Sequence, residues 1–231
     1  MQLSKIVAII PAAGQGKRMG ANINKQYLEL NNKPVIAWTL ALFEQATIIS
    51  EVILVVSASE LDYCQKHILD KFGFVKVKLV AGGKERQDSV YNGLKEARDA
   101  EIVVVHDGAR PLLTMDNLEE VVMEAVGTGG AILAVPVKDT IKVVTNEKEI
   151  EGTPARNSLY AAQTPQAFQR RILMEAYEKA FATGYIGTDD ASLVEQLSAT
   201  VKIVVGSYEN IKVTTGEDLI IAEAILQRRE K

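Results

Sequence analysis

Five apolar runs rich in β-branched residues recur along the chain with helix-like stretches between them, and this alternation restricts the fold more than any other feature. The runs are IVAII (Ile6 to Ile10), EVILVV (Glu51 to Val56), VKVKLV (Val75 to Val80), EIVVVH (Glu101 to His106) and AILAVPV (Ala131 to Val137). Four are almost continuously apolar, as strands covered on both faces must be. VKVKLV alternates, which suits a strand nearer a sheet edge. Helix patterns fall at Pro34 to Thr47, Glu60 to Phe72, Asp88 to Arg98 and Met115 to Gly127. Pro34 suits a first helical turn, where its missing N–H costs nothing, and Ser59 suits an N-cap. The alternation predicts an α/β fold with a mostly parallel sheet. With 231 residues, 47% of them hydrophobic, the chain can bury one sizeable core without disulfides, so a single domain over residues 1–231 is expected.

After Val137 the pattern breaks. Lys138 to Phe168 carries short β-like pieces, charged turns and no helix pattern. It reads as a β excursion, with an arm at about 138–160. Its apolar residues Ile141, Val143, Val144 and Ile150 have too little local chain to pack on, which predicts contact with a second subunit. Helices resume at Gln169 to Thr183 and Asp190 to Ser198. VKIVVG (Val201 to Gly206) returns to the sheet, and Gly216 to Arg229 closes the chain as a helix.

The turn behind the first run, PAAGQGKRMG (Pro11 to Gly20), reads G-x-G-x-x-x-G from Gly14, Gly16 and Gly20. A dinucleotide fingerprint needs G-x-G-x-x-G opening a helix directly, with an acidic residue about 20 positions on. Here the second strand ends about 40 residues later, and asparagines interrupt the stretch before Pro34. The P-loop pattern G-x-x-x-x-G-K-[ST] is also absent. Glycines still let backbone N–H groups approach an anion. Lys17, Arg18 and Lys25 add three cations within nine residues, which matches a triphosphate better than a diphosphate. The plainer alternative is a surface turn with solvated lysines.

Asp107 follows the fourth run, where a carboxylate at the end of a sheet strand meets the ligand crevice. It is predicted to touch a metal or a ribose; a turn-capping role is the alternative. Arg110 and Arg156 can each fork onto a phosphomonoester, because guanidinium matches phosphate in geometry. His106 reads as a hydrogen-bonded core residue, His67 as surface, and Cys64 as a helix residue without a redox role. A net charge of −4 argues against nucleic-acid binding. One cysteine and two distant histidines give neither a disulfide nor a zinc cluster. Pro11 and the glycines break the first apolar run too early for a signal peptide, and no stretch approaches a membrane span. The cytoplasm is the expected compartment.

The loop continues into KQYLELNNKPVI (Lys25 to Ile36). AGGKERQDSVYNGL (Ala81 to Leu94), VVHDGARPLL (Val104 to Leu113), VPVKDTIK (Val135 to Lys142), QTPQAF (Gln163 to Phe168), TDDASLVE (Thr188 to Glu195) and NIKVTTGEDL (Asn210 to Leu219) follow in order. This series, spread over essentially the whole chain, resembles the 2-C-methyl-D-erythritol 4-phosphate cytidylyltransferases. The resemblance implies a Rossmann-like nucleotidyltransferase fold, a homodimer clasped by the β-arm, and Mg²⁺ or another divalent cation. It implies that CTP and methylerythritol phosphate give the CDP-alcohol and pyrophosphate. Carried over by motif, Pro11, Ala12, Ala13, Gly14 and Gly16 line the nucleotide, with Gly83 and Ser89 near the cytosine; Asp107, in the HDGARP strand end, is expected to contact the nucleotide and to serve as the metal carboxylate. Arg18, Lys25 and Lys212 are the expected transition-state stabilisers. Gly108, Arg110, Thr140, Arg156, Thr164 and Thr188 face the acceptor, with Thr140 and Arg156 coming from the partner's arm. Gly108 stands where the family often has alanine, and Lys84 where an acidic residue is often seen. NNKP replaces a glycine-containing turn that asparagine can mimic.

The nearest rival is a cytidylyltransferase acting on ribitol 5-phosphate, which shares the glycine loop and the DT and QTPQ blocks. The HDGARP spelling tilts the reading toward methylerythritol phosphate. An oxidoreductase lacks its acidic residue at the required distance. A non-catalytic nucleotide sensor would not need Arg110, Thr140, Arg156 and Lys212 together.

Overall fold

A computed structural model of the chain describes residues 5–14 and 25–229. In chain order the principal elements begin with β1 (Ile6–Pro11), β2 (Glu29–Leu30), β3 (Lys33–Pro34), α1 (Val35–Gln45), β4 (Glu51–Val56), α2 (Leu61–Cys64), β5 (Val77–Ala81) and α3 (Arg86–Glu96). They continue with β6 (Ile102–Val105), α4 (Met115–Thr128), β7 (Gly130–Pro136), β8 (Val143–Val144), β9 (Ile150–Gly152) and β10 (Tyr160–Gln169). The last four are α5 (Arg170–Thr183), α6 (Asp190–Glu195), β11 (Lys202–Val205) and α7 (Gly216–Arg229).

Among the described residues one seven-stranded sheet runs in the order β11-β7-β10-β6-β1-β4-β5. β1 pairs in parallel with β4 on one side and β6 on the other. Strand residues alternate between two cores, which is why the runs had to be apolar throughout. Ala8, Ile10, Val52, Leu54 and Val104 join Ile36, Leu40 and Phe43 of α1 and Leu118, Val121 and Ala125 of α4 on one face. Val7, Ile9, Ile53, Val55, Val103 and Val105 join Val90 and Leu94 of α3, Leu173 and Tyr177 of α5 and Leu193 of α6 on the other. Each fully buried Val, Leu or Ile contributes about 1.5–3 kcal/mol, so both layers hold the sheet firmly. A smaller third core joins α7 to Leu30, Val35 and Leu112. The alternating run becomes the edge strand β5, with Lys78 exposed between Val77 and Leu79. Among the described residues no helix is long and apolar enough to cross a membrane.

Three local expectations change. Ser59 is not the cap of the second helix; that helix opens with a 3₁₀ turn, Ala58–Glu60, whose leading residue is Ser57, and the Ser57 and Ser59 hydroxyls pair at 3.0 Å. Pro34 lies just before its helix in extended backbone, paired with Glu29 in the β2–β3 hairpin. Asn31 and Asn32 turn that hairpin at φ 48° and 60°, the left-handed pair a two-residue hairpin demands. The third change is the largest. The β excursion does not extend to Phe168: Tyr160–Gln169 is a central strand, antiparallel to both β6 and β7. Its sequence, YAAQTPQAFQ, has one β-branched residue, and Gln163, Thr164 and Gln166 are buried and bond inward rather than face water. The preceding segment holds the two-strand ladder of β8 and β9 and a 3₁₀ turn at Arg156–Ser158 where no helix was expected. Every residue from Lys138 to Glu151 is exposed.

Candidate active site

The strand order reverses at β1. The chain passes from β1 outward to β4 and β5, then returns to lay β6 on the other side. Loops leaving the carboxyl ends of β1 and β6 therefore diverge, and a crevice opens between them. A cleft of about 760 Å³ lies there. Pro11 to Gly14 border it from β1, Ser57 and Ala58 from β4, Gly82 to Arg86 and Ser89 from the β5–α3 turn, Asp107 to Ala109 from β6, and Lys212 from the segment before α7.

The walls are backbone brought close by small residues. A Cβ on Gly83 would lie 2.3 Å from the Asp88 Cβ, and one on Gly82 2.6 Å from the Ala13 Cβ, so neither position accepts a side chain. The turn is then pinned. The Gly83 N–H donates to the Ser89 hydroxyl (3.1 Å), which donates to the Glu85 carbonyl (3.0 Å). Glu85 and Asp88 close a capping box at the start of α3. On the opposite wall the Gln26 amide, 3% exposed, donates to the Ala12 carbonyl (2.8 Å).

Asp107 sits at the centre. Lys212 Nζ lies 2.7 Å from its Oδ2, Arg86 Nε 3.4 Å from Oδ1 and Arg110 Nε 3.9 Å from Oδ2. Burial alone would raise the Asp107 carboxyl, but Arg86, Lys212 and Arg110 together hold it far below the usual carboxylate range. It is an anion at any working pH. Burial lowers the Arg110 guanidinium, which Asp107 counteracts and Arg86 reinforces. Its Nη1 donates to the Asn210 carbonyl (2.7 Å), while its buried Nε has no hydrogen-bond partner.

His106, fully buried, fixes the turn that carries Asp107. Its Nε2 lies 3.1 Å from the Arg110 carbonyl and its Nδ1 3.1 Å from the Thr164 hydroxyl, which in turn accepts the Asp107 N–H at 3.0 Å. For a neutral ring one proton arrangement satisfies all three: Nε2–H donates to Arg110, and the Thr164 O–H donates to Nδ1. Burial lowers the His106 pKa to about 4, so the ring stays neutral near pH 7. It is a core residue, as its sequence context suggests.

Of the residues singled out in the sequence, Pro11, Ala12, Ala13, Gly14, Gly83, Ser89, Asp107, Gly108 and Lys212 meet at the cleft. Arg110 and Thr164 stand behind Asp107. Thr140, Arg156 and Thr188 are exposed and do not line this cleft; the Arg156 guanidinium donates to the Lys138 carbonyl within the arm (3.0 Å). Gly16, Arg18 and the side chain of Lys25 lie outside the described residues. The sequence reading missed Arg86, although it falls inside the AGGKERQDSVYNGL block. It also missed Asp190, to which Arg86 Nη2 donates at 2.7 Å. Their 104-residue separation gave no local sign of the pair.

A mostly parallel sheet with a glycine-walled crevice at its switch point and a cation cluster around one carboxylate makes this an α/β protein with a site suited to a phosphorylated ligand. The family model for 2-C-methyl-D-erythritol 4-phosphate cytidylyltransferase matches residues 6–228, and the chain belongs to that family. A relative of that name from Alkaliphilus metalliredigens is 53% identical over 229 residues, 98% of this chain and 95% of its own length. Another, from Geotalea uraniireducens, is 49% identical over 227 residues, covering 96% and 97%. Among solved structures, 4-diphosphocytidyl-2C-methyl-D-erythritol synthase from Anaerococcus prevotii superposes with a TM-score of 0.87 at 36% identity over 97% of both chains. The Thermus thermophilus cytidylyltransferase gives 0.81 at 30% identity, over 96% of this chain and 99% of that one.

Proposed function

We propose that this chain joins CTP and 2-C-methyl-D-erythritol 4-phosphate to give 4-diphosphocytidyl-2-C-methyl-D-erythritol and pyrophosphate, a step of non-mevalonate isoprenoid synthesis. A phosphate oxygen of the acceptor attacks the α-phosphorus of CTP. The bond from that phosphorus to its bridging oxygen toward the β-phosphorus breaks, and pyrophosphate leaves with the electron pair. Such transfer depends on alignment and charge stabilisation more than on proton transfer. The observation that carries the reading is the cleft itself, where glycine-walled backbone meets Lys212 and Asp107 at the sheet's switch point.

In this reading Pro11 to Gly14, Gly16, Gly83 and Ser89 hold the nucleotide. Arg18, Lys25 and Lys212 stabilise charge on the transferring phosphoryl group. Gly108, Arg110, Thr164 and Thr188 belong to the acceptor side.

Among the described residues no three or more His, Cys, Asp or Glu side chains gather to hold a metal. Mg²⁺ keeps several waters and takes one or two carboxylates plus substrate phosphates. Asp107, held as an anion, is the carboxylate that fits, and the triphosphate oxygens would complete the set. When bound there, the ion would neutralise charge on the phosphates during transfer.

The exposed arm residues Ile141, Val143, Val144 and Ile150 support a homodimer in which each arm reaches the other chain's cleft, bringing Thr140 and Arg156. We place the enzyme in the cytoplasm.

Pyrophosphate release measured with CTP, Mg²⁺ and each polyol phosphate tests the assignment. Methylerythritol phosphate is expected to be turned over far faster than ribitol 5-phosphate; the reverse order would overturn it.

A further inference from the structure

Arg86 faces the open cleft, where an arginine would ordinarily sample many rotamers. Here it is held from behind. Its Nη2 donates to Oδ2 of Asp190 at 2.7 Å, and Asp190 is fully buried. The other Asp190 oxygen accepts the Tyr177 hydroxyl at 2.5 Å, and Tyr177 is fully buried too. The start of α6 is itself anchored. Gln166 of β10 accepts the Ala191 N–H (3.0 Å) and donates to Asp189 (2.8 Å). The guanidinium is therefore clamped through Nη2 to Asp190 and reaches Asp107 Oδ1 through Nε.

Two consequences follow. A buried, doubly bonded carboxylate leaves the guanidinium little rotational freedom, so Asp107 meets a fixed partner on its Oδ1 side. Asp190 and Asp107 share the Arg86 charge, and the Oδ2 side of Asp107, where the more exposed Lys212 lies, is the side left for arriving groups.

We propose that Arg86, clamped by Asp190 and Tyr177, is a positioning residue that fixes the Asp107 carboxylate for cytidylyl transfer. The proposal rests on the transfer reading above. Losing such an outer partner typically costs about 10–100-fold in activity or metal affinity.

The test is a double-mutant cycle on the full-length protein. Arg86→Ala, Asp190→Asn and their combination are compared for kcat, for the KM of each substrate, for Tm, and for CTP·Mg²⁺ affinity by calorimetry without acceptor. Arg86→Ala is expected to lower kcat about 10–100-fold while the acceptor KM stays within about threefold. Asp190→Asn should lower the same parameter, and the double variant should be no worse than Arg86→Ala, since residues acting as a unit are not additive. Guanidinium chloride at millimolar concentration should restore part of the Arg86→Ala turnover. If Asp190→Asn does not fold, Tyr177→Phe replaces it in the same cycle. Losses that multiply, or a kcat at the wild-type level in folded variants, would overturn the proposal. A wild-type chain that binds CTP but releases no pyrophosphate would defeat the transfer reading alone. The cycle would then be read in CTP·Mg²⁺ affinity, where non-additive losses support the clamp and additive ones reject it.

Discussion

Replacing Asp107 by Asn removes one charge and almost no volume, so it isolates what the carboxylate does. Its three cationic neighbours fare differently. Arg86 keeps Asp190. Lys212, with 39% of its side chain exposed, turns to water, and its pair counts for no more than about 1 kcal/mol. Arg110 loses the most: its side chain is only 13% accessible, and Asp107 at 3.9 Å is the anion it pairs with. At an effective dielectric of about 20 that attraction is about 4 kcal/mol. The carboxylate's own desolvation, several kcal/mol, is recovered on substitution. The net loss of stability should be about 2–3 kcal/mol, and at about 2–4 °C per kcal/mol for a chain of this size Tm should fall by about 4–12 °C. The pH dependence carries a definite sign. A carboxyl whose folded pKa lies below its unfolded value of about 3.9 adds stability above that pH and loses it as pH falls further. Thermal melts of both proteins at pH 7 and pH 3 are the assay. The Tm gap should be wide at pH 7 and narrower at pH 3. Equal Tm values at pH 7, or a gap that widens in acid, would refute the reasoning.

Lys212→Ala should lower kcat about 10²–10³-fold, by analogy with the loss of one oxyanion donor, and shift Tm by no more than about 2–4 °C; near-normal turnover would remove Lys212 from the transition state. Gly83→Ala would drive a methyl to within 2.3 Å of the Asp88 Cβ and disrupt the capping box of α3, so it should destabilise by about 1–3 kcal/mol and raise the KM for CTP; unchanged melts and kinetics would show that the turn can open. Chelation with EDTA should stop turnover without moving the Tm of the ligand-free protein, and melts that drop on chelation would mean a structural metal. Ile150→Asp, on a residue 66% exposed in the arm, should shift the chain toward monomer in light scattering and depress activity; an unchanged mass would release the arm from the interface.

The sheet was legible because strands sandwiched between two helical layers have no polar face, and the runs at Ile6, Glu51, Glu101 and Ala131 show none. β10 was not legible for the opposite reason. Gln163, Thr164 and Gln166 are buried polar residues whose partners, Ser207, Asp107 and Asp189, come from distant parts of the chain. Without those partners YAAQTPQAFQ reads as loop. The cleft was legible where local glycine spacing and a strand-end carboxylate carry the chemistry. Arg86 escaped because an arginine at the start of a helix reads as solvated surface, and only the fold brings Asp190 and Asp107 to it. The turn at Asn31 and Asn32 shows the converse: asparagine's tolerance of positive φ is a single-residue property, so the turn was legible, although the two short strands it joins were not.

The most direct measurement is a crystal structure of the chain with CTP and Mg²⁺. The account predicts the cytosine against the Gly82–Gly83 turn and Ser89, the triphosphate running toward Lys212, and Lys212 drawn from Asp107 onto phosphate oxygen. A nucleotide bound elsewhere, or bound here with the Asp107–Lys212 pair intact and its phosphates pointing away, would contradict it.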